Sequence, residues 1–200
     1  MALTIYGSPR SRTMRVLWAA AELGLDYVHV PLAFDDPALK EATFLGLNPA
    51  GAVPTIVDDG FALAESLAIN LYLAKKYGAG GLYPAGAHAE AEVWRWSLWV
   101  QGHLEPWVQQ DALLAEMRAA VWPHVQGAIA AALGVLDRAL EGRVWLVGAG
   151  FTVADLNVAA VLSPSRAQHL DIAAFSQVSA WLARCYARPA AVSTRRRFGG

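Results

Sequence analysis

The chain has 200 residues, 56% hydrophobic and 16% charged, with 16 Lys and Arg against 17 Asp and Glu for a formal net charge of −1. So much apolar material excludes a globally disordered chain, and the length suits two small domains. With no basic surplus, nothing in the composition points to nucleic acid. The single cysteine, Cys185, rules out an internal disulfide and any C-x-x-C motif, and it reads as a small buried hydrophobe in the last helix. No metal site is expected. Glu22 interrupts the N-terminal apolar run Val16 to Ala21, which therefore reads poorly as a signal peptide. No stretch reads as long and apolar enough to span a membrane, so a soluble, cytoplasmic protein without a membrane partner is expected.

Leu3 to Tyr6 is a short β-prone run ended by Gly7-Ser8-Pro9. From Arg12 to Leu23 the apolar positions Val16, Ala20 and Leu23 recur at helical spacing, and Gly24 supplies a stop. Tyr27 to Leu32 is a second strand candidate, and Pro37 to Leu47 a short irregular helix. Pro54 to Asp58 and Phe61 to Leu63 flank Asp59-Gly60, which favours a type I′ hairpin turn. Ser66 to Tyr77 predicts a helix with Ser66 as N-cap, Lys75 and Lys76 in the last turn and Gly78 behind them. The order is β-α-β-α-β-β-α over residues 1–78, an α/β domain.

Residues 79–87 are rich in Gly and Pro and read as a linker. From there to residue 200 the pattern is helical throughout, an all-α domain. One long helix is expected from Ala87 to about Ala119, kinked because Pro106 cannot donate to the Gly102 carbonyl. Further helices are expected over Trp122 to Leu140, Thr152 to about Leu162, and Phe175 to Ala187, the last closed by Arg188-Pro189. Thr152 with Asp155 forms an acidic capping box. The run Arg195-Arg196-Arg197 reads as a solvated tail.

Three segments carry chemistry. Tyr6-Gly7-Ser8-Pro9-Arg10-Ser11-Arg12-Thr13 joins the first strand to the first helix. Asn48-Pro49-Ala50-Gly51-Ala52-Val53-Pro54-Thr55 precedes the hairpin, and Leu63-Ala64-Glu65-Ser66 follows it. Gly150-Phe151-Thr152-Val153-Ala154-Asp155 opens a later helix. From spacing alone, Ser11 is equally an ordinary cap serine beside a helix N-terminus, and Glu65-Ser66 equally a plain helix start.

In these residues, taken in order, the chain resembles the cytosolic glutathione S-transferases that use a serine, such as the theta, phi and related bacterial groups. The resemblance implies a thioredoxin-like N-terminal domain that binds glutathione as co-substrate, and a helical domain that lines a pocket for a small hydrophobic electrophile. It also implies a homodimer. The implied activity is thiol activation for attack on the electrophile; a non-catalytic scaffold or hydrophobic-ligand carrier is the alternative.

Ser11 matches the thiol-activating residue, with Tyr6 as its rival. A thiol of pKa about 8.5 is only ~3% ionised at pH 7, and lowering that by about two units takes roughly 2.7 kcal/mol of anion stabilisation. A hydroxyl hydrogen bond beside a helix terminus is suited to supply it. The resemblance implies a cis bond between Val53 and Pro54, with the Val53 backbone pairing to the cysteinyl part of glutathione. It places Glu65 and Ser66 at the γ-glutamyl end, on a helix N-terminus suited to a carboxylate. Relatives often carry Lys or Gln where this chain has Ala52, and Lys40, Arg10 and Arg12 are the candidates to hold the glycine carboxylate instead. Trp94, Trp96, Trp99, His103 and Trp107 crowd one helix. Aromatics at this spacing are commonly core; the resemblance makes Trp99, His103 and Trp107 lining of the electrophile pocket.

Overall fold

Alternation builds the first strand. In β1 (Leu3–Tyr6) Leu3 and Ile5 are buried while Thr4 and Tyr6 are half-covered, as expected for a strand with two different faces. The computed structural model describes residues 2–109, 115–164 and 170–199. After β1 come α1 (Thr13–Glu22), the short β2 (Val28–Val30), a 3-10 turn over Pro37–Lys40 and α2 (Ala42–Leu45). Strands β3 (Thr55–Asp58) and β4 (Phe61–Ala64) then lead to α3 (Ser66–Tyr77). The four-stranded sheet has the order β2-β1-β3-β4. β1 runs parallel to β2, with α1 as the crossover between them, and antiparallel to β3; β3 and β4 form the hairpin. Asp59 and Gly60 both have positive φ, 49° and 87°, as a type I′ turn demands.

Leu3, Ile5 and Ile56 from the sheet, Val16, Leu17 and Ala20 from α1, and Ile69 and Leu73 from α3 make the core of this first unit. The expected thioredoxin-like order is present. A buried carboxylate ties the hairpin to α3: Asp58 accepts from Tyr72 and Tyr77 hydroxyls and from Lys76 Nζ at 2.8 Å each. Burial pushes the Asp58 carboxyl up, but these donors outweigh it and hold the group below its ordinary range.

The chain divides after Tyr83 and again before Arg188, so that the residues from Arg188 onward belong with the first unit. This corrects the assignment of residues 88–200 to one helical domain. The supposed tail is the last helix of the chain, α9 (Pro189–Phe198), and it packs on α1. Its start is set by Pro189 in the first turn, where a missing N–H is harmless. Arg197 lies 6.0 Å over the Tyr27 ring, and Phe198 meets His29 edge to face. The Gly-rich stretch after Gly78 folds back on the same unit, with Leu82 and Tyr83 buried.

The second unit holds α4 (Ala87–Trp99), a π-turn over Val100–Leu104, α5 (Glu105–Val108), α6 (Ala115–Ala139), α7 (Val153–Val161), a 3-10 turn over Ile172–Ala174 and α8 (Ser176–Tyr186). The interruption expected near Gly102 is that π-turn, with Pro106 in the first turn of a new helix. The long helix does not run on to Ala119; α5 stops at Val108. Nor does a helix begin at Trp122, because α6 passes through that point with Pro123 inside it. The buried stripe Val125, Ile129, Leu133 and Leu136 lies along one face of α6 after Pro123, and its packing holds that part of the helix. The segment Ala119–Ala139 is also long and apolar enough to pass for a membrane span by length and composition, contrary to the sequence expectation. Its alanines raise the mean hydropathy, while Gln126, Asp137 and Arg138 keep it from being apolar all round.

α7 is buried over its whole length, and Thr152 with Asp155 closes the expected capping box. Asp155 further accepts from Leu146 N at 2.8 Å and Trp181 Nε1 at 2.9 Å. Burial pushes its carboxyl up, and these donors oppose that. α4 packs on α7, and α6 and α7 both pack on α8, where Cys185 is buried.

Candidate functional site

The parallel pairing of β1 with β2 continues into the loop that follows. Gly7 N donates to Val30 O at 2.8 Å and Ser8 N to Leu32 O at 2.6 Å. Gly7 has φ 130°, and a Cβ there would lie 2.1 Å from Thr13 Oγ1 and 2.8 Å from Val53 Cβ. Only glycine lets the two loops meet at this point. The Gly7 carbonyl accepts from His29 Nε2 at 2.8 Å.

Ser11, half-buried, sits just before α1. Its hydroxyl donates to Ser8 O at 2.7 Å, lies 2.8 Å from Thr13 Oγ1, and accepts from Thr13 N at 3.1 Å. That last bond is a cap interaction, so the plain reading of Ser11 holds in part; the residue at the N-cap itself is Arg12, which makes no side-chain cap bond. Tyr6 packs edge to face on Phe44, 5.8 Å between centroids.

The Val53–Pro54 bond is cis, as expected. Asn48, buried, builds the loop before it: Nδ2 donates to Ala52 O at 2.9 Å and Thr55 Oγ1 at 3.1 Å, and Oδ1 accepts from Ala50 N. Ala52 is exposed. Among the described residues, Val53 makes no backbone hydrogen bond, so its N–H and C=O are open to an extended ligand. Lys40 Nζ donates to Gly51 O at 3.2 Å, which sets an ammonium beside the Ala52 position. Arg10 and Arg12 are exposed on the other loop.

Glu65, rather than Ser66, is the N-cap of α3, and its backbone lies at φ 70°, ψ 110°. A non-glycine residue there carries strain of about 1–3 kcal/mol, of the kind that collects at functional sites. Ser66 is the first helical residue, buried, and its Oγ accepts from Arg15 Nη1 at 3.3 Å. One of its lone pairs is thereby taken, and its proton is available to be donated. Arg15 itself is 3% exposed, a buried cation under the start of α3 that sequence reasoning passed over. So was Thr13. The signal lay in the α1 stripe, because Thr13 falls in register with Val16, Leu17 and Ala20 on the buried face.

In the helical unit Trp96 is buried, as expected of a core aromatic. Trp96 meets Trp99 edge to face at 5.1 Å, and Trp99 stacks on His103 at 6.3 Å with planes 10° apart. His103 Nδ1 lies 3.2 Å from the Trp99 carbonyl, which can only accept, so that nitrogen carries the proton. Trp107 leaves the series and pairs with His124 instead, 5.6 Å away. The π-turn between them offsets every later position around the axis.

Residues 1–75 match the glutathione S-transferase N-terminal domain and residues 96–189 the C-terminal domain. Glutathione S-transferase 3 of Zea mays is 38% identical over 94% of this chain and 90% of its own. A crystal structure of a glutathione S-transferase from Xanthobacter autotrophicus Py2 has a TM-score of 0.82 at 32% identity, covering 94% of each chain. A glutathione transferase family member from Pseudomonas fluorescens Pf-5, solved with two glutathione bound, has a TM-score of 0.83 at 26% identity, covering 96% of this chain and 91% of that one. The chain belongs to the glutathione S-transferase family.

Proposed function

We propose that this is a serine-type transferase in which Ser11 stabilises the glutathione thiolate. The observation that carries the reading is the Ser11 hydroxyl itself, half-exposed where β1 hands over to α1 and anchored by an amide on one side only. In the free protein its proton rests on Ser8 O. That carbonyl also takes Ser11 N–H at 3.0 Å, so it keeps a donor when the hydroxyl turns to sulfur.

Around that centre, Val53 and Pro54 would hold the cysteinyl backbone, Ser66 the γ-glutamyl carboxylate and Glu65 the ammonium. Lys40 would take the glycine carboxylate in place of a longer side chain at Ala52. Trp99 and His103, with Trp107, would receive the apolar electrophile, and the working form would be a cytoplasmic homodimer.

Ser11→Ala tests the assignment. A hydrogen bond to a charged group contributes roughly 1.5–3 kcal/mol, so turnover should fall about ten- to a hundredfold. The thiol of bound glutathione, followed by thiolate absorbance against pH, should ionise at higher pH in the variant. Unchanged turnover and ionisation would move the role to Tyr6.

A further inference from the structure

Thr13 is fully buried, and among the described residues the one hydrogen-bond partner of its hydroxyl is Ser11 Oγ, at 2.8 Å. A buried hydroxyl that donates to nothing is costly, so the direction of this bond matters. Ser11 has one hydroxyl proton, and at 2.7 Å the Ser8 carbonyl holds it. The proton between Ser11 and Thr13 must then come from Thr13. We propose that Thr13 is a positioning residue that acts through Ser11, resting on the assignment of Ser11 made above.

Ser11 Oγ receives Thr13 N–H at 3.1 Å and the Thr13 hydroxyl at 2.8 Å, which fills both its lone pairs from the helix side. Its own proton is then barred from turning back into the helix. It has two destinations, Ser8 O in the free protein and the sulfur when glutathione binds. Two donors on the oxygen also polarise its O–H bond and strengthen the bond it gives, as in any hydrogen-bonded chain. Without the Thr13 hydroxyl, one lone pair is left open, and the Ser11 rotor is free to point its proton elsewhere. Gly7 belongs to the same device, since a Cβ there would occupy the place of Thr13 Oγ1.

Thr13→Val removes the hydroxyl and keeps the branched shape, and Thr13→Ser restores the hydroxyl without the methyl. The expected result is a fall in kcat of roughly three- to tenfold for Thr13→Val, the value of one neutral hydrogen bond, with KM for glutathione changed less than twofold. Ionisation of the bound thiol should shift to higher pH, and Thr13→Ser should recover both. Should Thr13→Val not fold, as judged by circular dichroism, Thr13→Ala makes the same deletion without bulk at that site.

The Ser11→Ala/Thr13→Val double variant separates this proposal from the reading beneath it. If Thr13 acts through Ser11, the second substitution adds nothing once Ser11 is gone. If Ser11→Ala alone leaves turnover intact, the serine assignment falls. If Ser11→Ala is damaging while Thr13→Val is harmless, or costs the same in both backgrounds, only the role of Thr13 falls. A gain in turnover for Thr13→Val would mean that Thr13 accepts the Ser11 proton and withholds it from sulfur, the reverse of the proposal.

Discussion

Arg188 grips Glu22 with two parallel hydrogen bonds, Nε to Oε1 and Nη2 to Oε2, each 2.8 Å long. The pair joins residues 166 positions apart, at the end of α1 and the start of the last helix. Glu22 keeps only 6% of its side chain in solvent and also accepts from Trp18 Nε1 at 2.9 Å. Removing the arginine leaves a nearly buried carboxylate with one neutral donor. Arg188→Ala is therefore expected to destabilise the first unit by about 1–3 kcal/mol, less than a fully buried pair because Arg188 is partly solvated. Urea denaturation of the two proteins measures this directly. A difference below about 0.5 kcal/mol would show that the last helix is held by its packing on α1 alone.

Glu65 gives a prediction of opposite sign for stability and binding. Glycine accepts φ 70°, ψ 110° without the Cβ penalty, so Glu65→Gly should leave stability unchanged or raise it by about 1 kcal/mol. Glutathione affinity should fall about tenfold, because the carboxylate proposed to meet the ligand's ammonium is gone. Thermal melting and calorimetry on one preparation give both readings. A clear loss of stability would mean that Glu65 does structural work that the backbone geometry does not reveal.

Lys40 should carry the glycine carboxylate from its position on Gly51 O. Lys40→Met is expected to raise the dissociation constant for glutathione about tenfold, with the difference shrinking as salt screens this exposed charge. Placing Ala52→Lys in the Lys40→Met background should restore most of the loss, whereas Ala52→Lys alone should gain little. Calorimetry at two salt concentrations checks each step. Equal gains in both backgrounds would show that Lys40 never reached the ligand.

Acid should act on the first unit through Asp58. Its folded-state carboxyl is held below the ordinary value of about 3.9, so its contribution is complete above about pH 4 and is lost as pH falls through the lower, folded value. Asp58→Asn should therefore be less stable than the parent at pH 6, with the gap closing on acidification below pH 4. Denaturation curves over pH 2.5 to 7 would show it, as an order-of-magnitude window set by the reference carboxylate value. A gap independent of pH would assign the effect to lost geometry around Tyr72 and Tyr77.

What the residues alone determined is what local physics decides. The β-α-β-α-β-β-α order follows from short-range periodicity, the hairpin from Asp59-Gly60, and the start of α7 from Thr152 and Asp155, each within a few residues. The three motif segments likewise pointed to one family, because a loop sequence that builds a site is itself local. The tertiary structure decided everything that depends on what a segment packs against. Arg195-Arg196-Arg197 looks like a tail until Ala191 and Thr194 are seen buried, and Arg188 reaches Glu22. Trp122 looks like a helix start until α6 is seen to begin at Ala115 and to run through Pro123. Arg15 looks like an ordinary first-turn residue until Ser66, 51 positions away, is seen to accept from it, and the need for glycine at Gly7 appears only when Val53 closes on the same point. A buried cation's partner is set by atoms distant in sequence, and no periodicity records them.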